Sequence, residues 1–240
     1  MKIRPDIHFF SRLQKAWSPL IDPDRVSLSA LPRQVKQFAE RGAACVLVGG
    51  SHLATDQITQ TVQLIKTSCD LPVVLFPGPG MAISPEADGI LFLSLLSGRN
   101  ADLIIGQQVQ SAYRVAQSGA EVLGTAYLLV DGGKMTTAHY VSQTMPLPSD
   151  KPELAGSTAL AAKFMGFPMC FLDAGSGAAN PVPGDLIRAV RHAHDGPLLV
   201  GGGIRSQKSM EEAWDAGANL VVVGTLFEKQ TPEPGSWPLT

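Results

Sequence analysis

Cysteine is scarce in this chain: Cys45, Cys69 and Cys170 are the only three in 240 residues. Cys45 and Cys170 fall inside apolar strand patterns, which suits buried thiols in a reducing cytosol better than a disulfide framework. None has a second Cys or a His at metal-ligand spacing, which argues against a zinc site. An excess of one charge is also lacking, with 19 basic and 21 acidic residues. A nucleic-acid surface would need a basic stripe, so no nucleic-acid partner is expected and any anion site must be local. Long apolar runs are missing too: no segment approaches the roughly 18 residues of a membrane span, and Met1-Lys2-Ile3-Arg4-Pro5-Asp6 has no apolar signal core. The expectation is a soluble, cytoplasmic protein with no transmembrane segment.

Glycine is abundant, and its placement is informative. Leu198-Leu199-Val200 runs into Gly201-Gly202-Gly203, and Leu220-Val221-Val222-Val223 runs into Gly224-Thr225. Each reads as a short buried strand that ends where a missing Cβ lets backbone approach a ligand. A helical pattern, Ser209 to Ala216, separates them and completes a βαβ unit. In a (β/α)8 barrel the loops after the last two strands bind phosphate through backbone N–H groups and a helix N-terminus. A tight turn with no ligand would also explain the triplet alone.

The same alternation runs through the chain. Asp6 is placed to cap a first helix over residues 6–16, ahead of the barrel proper. Strands are predicted at Trp17–Ile21, Cys45–Val48, Pro72–Phe76, Gly89–Ser94, Glu121–Val130 and Met169–Leu172, before the two already named. Between the third and fourth, Pro77 to Asp88 holds three prolines and two glycines, which leaves no room for a regular helix. The third outer helix is therefore expected to be missing or replaced by a loop, leaving a groove for something greasy. Residues 136–142 read as a short extra strand or excursion. The fold expected is a single domain over 1–240, a modified (β/α)8 TIM barrel with an extra N-terminal helix and a loose tail at 231–240, in preference to a doubly wound sheet.

Residues that follow the strands face the catalytic end of such a barrel. They include Asp22 and Asp24, Gly49-Gly50-Ser51, Phe76-Pro77-Gly78, Arg99, Asp173 to Gly177, Gly202-Gly203 and Gly224-Thr225. A carboxylate and a hydroxyl on adjacent strands are oxygen donors of the kind Mg²⁺ accepts when phosphate oxygens and water complete its octahedron. Asp22 and Asp24 could instead form a turn and cap, and Ser51 could cap the helix after it. The histidines form no cluster, and no Ser/His/Asp nucleophile arrangement is apparent.

Leu20-Ile21-Asp22-Pro23-Asp24-Arg25, Val48-Gly49-Gly50-Ser51, Leu75-Phe76-Pro77-Gly78, Ser97-Gly98-Arg99-Asn100, Ala174-Gly175-Ser176-Gly177-Ala178 and Val200 to Ser206 occur in this order. Taken together they resemble the geranylgeranylglyceryl phosphate synthase family, which includes the bacterial heptaprenylglyceryl phosphate synthases; the Ser97 to Gln108 segment looks most like that family's second group. The resemblance covers roughly Trp17 to Phe227. It implies an enzyme, a Mg²⁺-dependent prenyltransferase. Such an enzyme joins a polyprenyl diphosphate to the 3-hydroxyl of sn-glycerol 1-phosphate, making an ether-lipid precursor. It further implies Mg²⁺ ligands at Asp22 and Ser51, and glycerol-phosphate contacts at Phe171, Leu172, Asp173, Ala174, Gly175, Ser176, Gly177, Gly202, Gly203, Gly224 and Thr225. Asp173 falls at the catalytic base, and a homo-oligomer is implied.

The sequence departs from the family at three places. The usual Tyr-Leu-Glu after strand six is Phe171-Leu172-Asp173 here, and a Lys that some members carry two residues before the first Asp is Leu20. The tyrosine hydroxyl is lost and the base is one methylene shorter, about 1.5 Å of reach. A misplacement of roughly 1 Å can cost about 10²-fold in rate. Lower turnover or an altered acceptor is therefore expected, and a glutamate at 173 is expected to raise activity. The alternative is a non-catalytic or weakly active member that binds a phosphate or prenyl ligand; a barrel isomerase of unrelated chemistry is a third reading.

Overall fold

A computed structural model describes residues 4–78 and 81–224. Eight parallel strands close into a barrel in sequence order: β1 (Ala16–Ile21), β2 (Val46–Val48), β3 (Val73–Leu75), β4 (Gly89–Leu95), β5 (Glu121–Leu129), β6 (Met169–Asp173), β7 (Leu198–Gly201) and β8 (Leu220–Val223), with β8 pairing back to β1. Apart from the start of β5, where Val122 is exposed, the strands are covered on both faces. Alternate side chains therefore divide between two cores. Leu47, Val74, Leu91, Leu123, Phe171, Leu199 and Val222 fill the barrel, while Val46, Val48, Val73, Leu75, Cys170, Leu172, Val200 and Val221 face the outer helices.

The first helix, α1 (Ile7–Arg12), plugs this interior with Phe10, which is fully buried in the inner cluster. Asp6 caps it, its Oδ1 accepting the Phe9 N–H at 2.8 Å. The helix is shorter than the 6–16 span read from the sequence. Strand pairing takes its last residue, Ala16 lying opposite Leu220 in β1 and β8, and Lys15 turns the chain with φ of 47°.

The outer layer comprises α2 (Leu31–Glu40), α3 (Ile58–Ser68), α4 (Gln107–Ser118), α6 (Pro152–Phe164), α7 (Gly184–Ala193) and α8 (Gln207–Asp215), with a single π-helical stretch, Asp102–Gly106, leading into α4. No helix separates β3 from β4 among the described residues. Lys66 of α3 instead meets Asp88 at 2.5 Å, and Asp88 also accepts the Val73 N–H at 2.9 Å, which pins the proline-rich connection to the strand it left.

The stretch 136–142 corrects the sequence reading. It is a short helix, α5 (Thr137–Ser142), laid over the C-terminal rim. Thr136 and His139 form a reciprocal capping box, with the Thr136 N–H donating to His139 Nδ1 at 3.1 Å; a histidine in the capping role hid the signal. The loose tail expected at 231–240 lies outside the described residues, and no described helix is long and apolar enough to cross a membrane.

Candidate active site

At the C-terminal ends of the strands lies a polar cavity of about 420 Å³. Asp22, Ser51, Asp173, Ser176, Gly177, Gly202, Gly203 and Gly224 all border it, so residues from β1, β2, β6, β7 and β8 meet at one place. Thr225 lies outside the described residues.

The glycine triplet does more than turn the chain. Gly202 has φ of 78°. A Cβ on it would stand 2.6 Å from Gly175 N, 2.7 Å from Ala174 N and 2.7 Å from Asp173 Oδ1. Gly203, with φ of 70°, presses equally against the Asn180 carbonyl. The β6 and β7 loops are thus in backbone contact, which only glycine permits in this conformation. Positive φ at Gly175, Gly177, Gly202 and Gly203 is the backbone state from which anion-binding concavities of N–H groups are built. Leu172 and Ala174 are placed differently from their neighbours. Both side chains lie in the outer core, and the Ala174 N–H donates to Gly201 O at 3.1 Å.

Asp173 projects inward at the top of β6 and is 7 % exposed. Its Oδ1 accepts the Gly175 N–H at 2.7 Å, and its Oδ2 accepts the Tyr127 hydroxyl at 2.7 Å. Burial pushes the Asp173 carboxyl above its ordinary value, against the pull of the Tyr127 hydroxyl, the Gly175 N–H and the nearby His139. The Tyr127 phenol is raised well above its usual range by burial and by the Asp173 charge, so it stays a donor. Position 171 carries no hydroxyl, but Tyr127 pairs with Phe171 in register on the adjacent strand and brings a tyrosine hydroxyl to the Asp173 carboxylate.

Sequence reading missed Tyr127. Its one signal was a polar-tipped residue at an inward position of the alternating β5 pattern, near the rim. Also missed was α5, whose Thr137 borders the polar cavity while Ala138, Val141 and Ser142 border a second, mostly apolar groove beside it. That groove is walled by Phe76, Pro77, Gly78 and Met81 of the helix-free connection, by Leu93, Leu95 and Leu103, and by Tyr127. Gly50, Ser51 and Phe76 border both spaces, which makes them the junction.

The two aspartates after β1 separate in role. Asp24 is a loop clamp: Oδ2 accepts the Ala54 N–H at 2.5 Å, and Oδ1 accepts the Thr55 N–H at 3.2 Å and the Thr55 hydroxyl. These bonds hold its carboxyl below the ordinary range. Asp22 leans over Gly50, beside Ser51, so that a Cβ on Gly50 would lie 3.1 Å from its Oδ2. Its Oδ1 accepts the Asp24 N–H at 3.0 Å, and Arg25 Nε stands 3.4 Å from Oδ2. Ser51 is not a helix cap, since α3 begins at Ile58 with Gln57 before it. Arg99 is not brought to the cavity either; its Nη1 turns back to Gly98 O at 2.7 Å and to Leu96 O.

One carboxylate and one hydroxyl, with no third acidic or imidazole ligand clustered among the described residues, cannot cage a metal unaided. They fit Mg²⁺, which keeps several waters and takes one or two carboxylates together with substrate phosphate oxygens.

The fold and rim define the class: a (β/α)8 barrel with no helix between β3 and β4 among the described residues, and with a polar cavity over the strand ends that adjoins an apolar groove. The chain belongs to the PcrB family, whose model matches residues 12–234. It is 43% identical over 221 residues to the geranylgeranylglyceryl phosphate synthase of Chitinophaga pinensis, covering 90% of this chain and 86% of that protein. With the synthase of Spirosoma linguale it shares 45% over 216 residues, or 90% and 87% of the two chains. Among solved structures, (S)-3-O-geranylgeranylglyceryl phosphate synthase from Thermoplasma acidophilum, in complex with its substrate sn-glycerol-1-phosphate, matches with a TM-score of 0.88 and 33% identity over 96% of this chain and 93% of that one. The tryptophan synthase α-subunit of Pyrococcus furiosus, at 13% identity and a TM-score of 0.61 over 90% of each chain, shares the fold alone.

Proposed function

We propose that this protein transfers a polyprenyl group, geranylgeranyl-like, from its diphosphate to the 3-hydroxyl of sn-glycerol 1-phosphate. The observation that carries the reading is the buried Asp173 carboxylate, oriented by Tyr127 and Gly175, within a glycine-walled cavity that opens into an apolar groove. The names of the relatives and the ligand of the T. acidophilum enzyme support it.

The acceptor's phosphate is taken up by backbone N–H groups of the Gly177, Gly202 to Gly203 and Gly224 turns, all of which border the cavity, and this fixes its free hydroxyl near Asp173. A carboxylate offers about four lone-pair positions, and Tyr127 and Gly175 fill two of them. A third can accept the proton of the 3-hydroxyl. Burial raises the basicity of Asp173 for this step, while Tyr127 fixes the rotamer. Asp22 and Ser51 would hold Mg²⁺, which when bound supplies charge neutralisation for the leaving diphosphate. The apolar groove takes the start of the prenyl chain.

The test is mass spectrometry of products from sn-glycerol 1-phosphate, Mg²⁺ and a mixture of prenyl diphosphates. A 3-O-prenylglyceryl phosphate with released diphosphate is expected. A thermal shift with glycerol phosphate but no ether product would overturn the reading and favour a ligand-binding, non-catalytic protein.

A further inference from the structure

Three aromatic rings meet at the junction of the two spaces, in a chain where aromatics make up only 6% of residues. Phe76 borders both the polar cavity and the groove. Its ring centroid lies 5.1 Å from that of Phe171, at 34°, and 5.9 Å from that of Tyr127, at 64°; Tyr127 and Phe171 are 5.8 Å apart and nearly perpendicular. Phe171 is buried beneath, against Gly201, where a Cβ would lie 3.0 Å from its Cε2. Tyr127 is held by its hydrogen bond to Asp173. Phe76 remains half-buried, with part of its surface toward the junction.

Between this cluster and the Phe10 plug at the other end of the barrel, Leu47, Val74, Leu91, Leu123 and Leu199 fill the same inner core with aliphatic side chains, so packing in this interior does not of itself call for rings. Aromatic rings differ from these in their negative quadrupolar face, which attracts a positive charge most strongly away from water.

We propose that Phe76, backed by Phe171 and Tyr127, is a catalytic residue whose ring faces the positive charge developing on C1 of the prenyl diphosphate. The inference rests on the proposed prenyl transfer. A diphosphate at Asp22 and Ser51 with its chain in the groove must carry C1 across the junction, and Ser51 and Phe76 both border that junction. The C1–O bond breaks with its electron pair leaving on the diphosphate. A lone pair of the glycerol 3-hydroxyl forms the new C1–O bond, and the hydroxyl proton passes to Asp173. Allylic charge is greatest midway, when the ring face stabilises it and the ground state gains little.

The experiment replaces Phe76 with 4-fluoro-, 3,5-difluoro- and 3,4,5-trifluorophenylalanine, and separately makes Phe76→Leu. Fluorine withdraws electron density from the face with little change of shape. The single-turnover rate is expected to fall log-linearly along the fluorinated series, by roughly tenfold or more in total. KM for the prenyl diphosphate and the melting temperature stay near wild type across that series, and Phe76→Leu falls at or below its end. Ether product from the wild type with a flat fluorinated series, or with changes confined to KM, overturns the inference and leaves the prenyl-transfer reading standing. No ether product from the wild type overturns both.

Discussion

Tyr127 and Asp173 lie 46 residues apart in sequence and 2.7 Å apart across the β5–β6 boundary, hydroxyl to carboxylate. The bond makes the shorter acid workable, because the carboxylate is fixed at both oxygens. Tyr127→Phe is expected to lower kcat by about 10- to 100-fold, in the range of a lost charge-assisted hydrogen bond, with KM for glycerol phosphate little changed. Asp173→Glu is expected to lower activity also, which reverses the expectation from sequence alone. The longer chain moves the carboxylate off the Tyr127 and Gly175 donors. Steady-state kinetics of both variants, beside Asp173→Asn as the inactive reference, decide the matter; a more active Asp173→Glu would refute the clamp.

The titration of Asp173 has a definite sign. Its folded value is raised, chiefly by burial, so the folded state binds more protons than the unfolded state above the ordinary carboxylate value. Stability contributed at this position is present in acid and is lost as pH rises through the raised value. Asp173→Asn removes that dependence. Its melting temperature relative to wild type is expected to improve from pH 4 to pH 7, read by calorimetry at each pH. In the active protein the acid limb of the rate profile is expected above the ordinary carboxylate range. Tyr127→Phe shifts that limb upward, since the lost hydroxyl had favoured the charged form.

Gly202 and Gly224 border the same cavity but differ in what a methyl group would meet. Gly202→Ala forces a Cβ into Gly175 N, Ala174 N and Asp173 Oδ1 at positive φ, and is expected to cost about 2–3 kcal/mol in urea unfolding. Among the described residues, a Cβ on Gly224 meets nothing closer than Leu20 at 3.8 Å. Gly224→Ala is expected to fold normally and to raise KM for glycerol phosphate several-fold through crowding of the anion site.

Asp22 and Asp24 are expected to separate under the same measurement. Asp22→Ala abolishes the Mg²⁺ dependence of diphosphate binding in titration calorimetry and lowers kcat by about 10²-fold or more. Asp24→Ala frees the Ala54 and Thr55 donors and loosens the β2 loop. It lowers thermal stability slightly while the Mg²⁺ dependence remains. Equal metal responses from the two variants would remove Asp22 from its assigned role.

Much of the architecture was legible in the chain because its causes are local. Apolar runs of four to six residues ending in glycine mark strands buried on both faces. Helical spacing between them marks the outer layer, and the prolines and glycines from Pro77 to Asp88 forbid a third helix wherever that segment lies. The rim positions of Asp22, Ser51, Asp173 and Gly202 follow from parallel strands alone, since each residue ends a strand or follows its end within three residues.

Barrel closure decided the rest. Strand register sets Tyr127 beside Phe171 and beneath Asp173, and no pattern within β5 or β6 fixes that register. The helix over 137–142 depends on a histidine completing its cap, and Phe76 reaches the junction only when β3 sits between β2 and β4. Periodicity tells a side chain which face it occupies; which neighbours share that face is settled by the shear of the closed sheet, a property of all eight strands together.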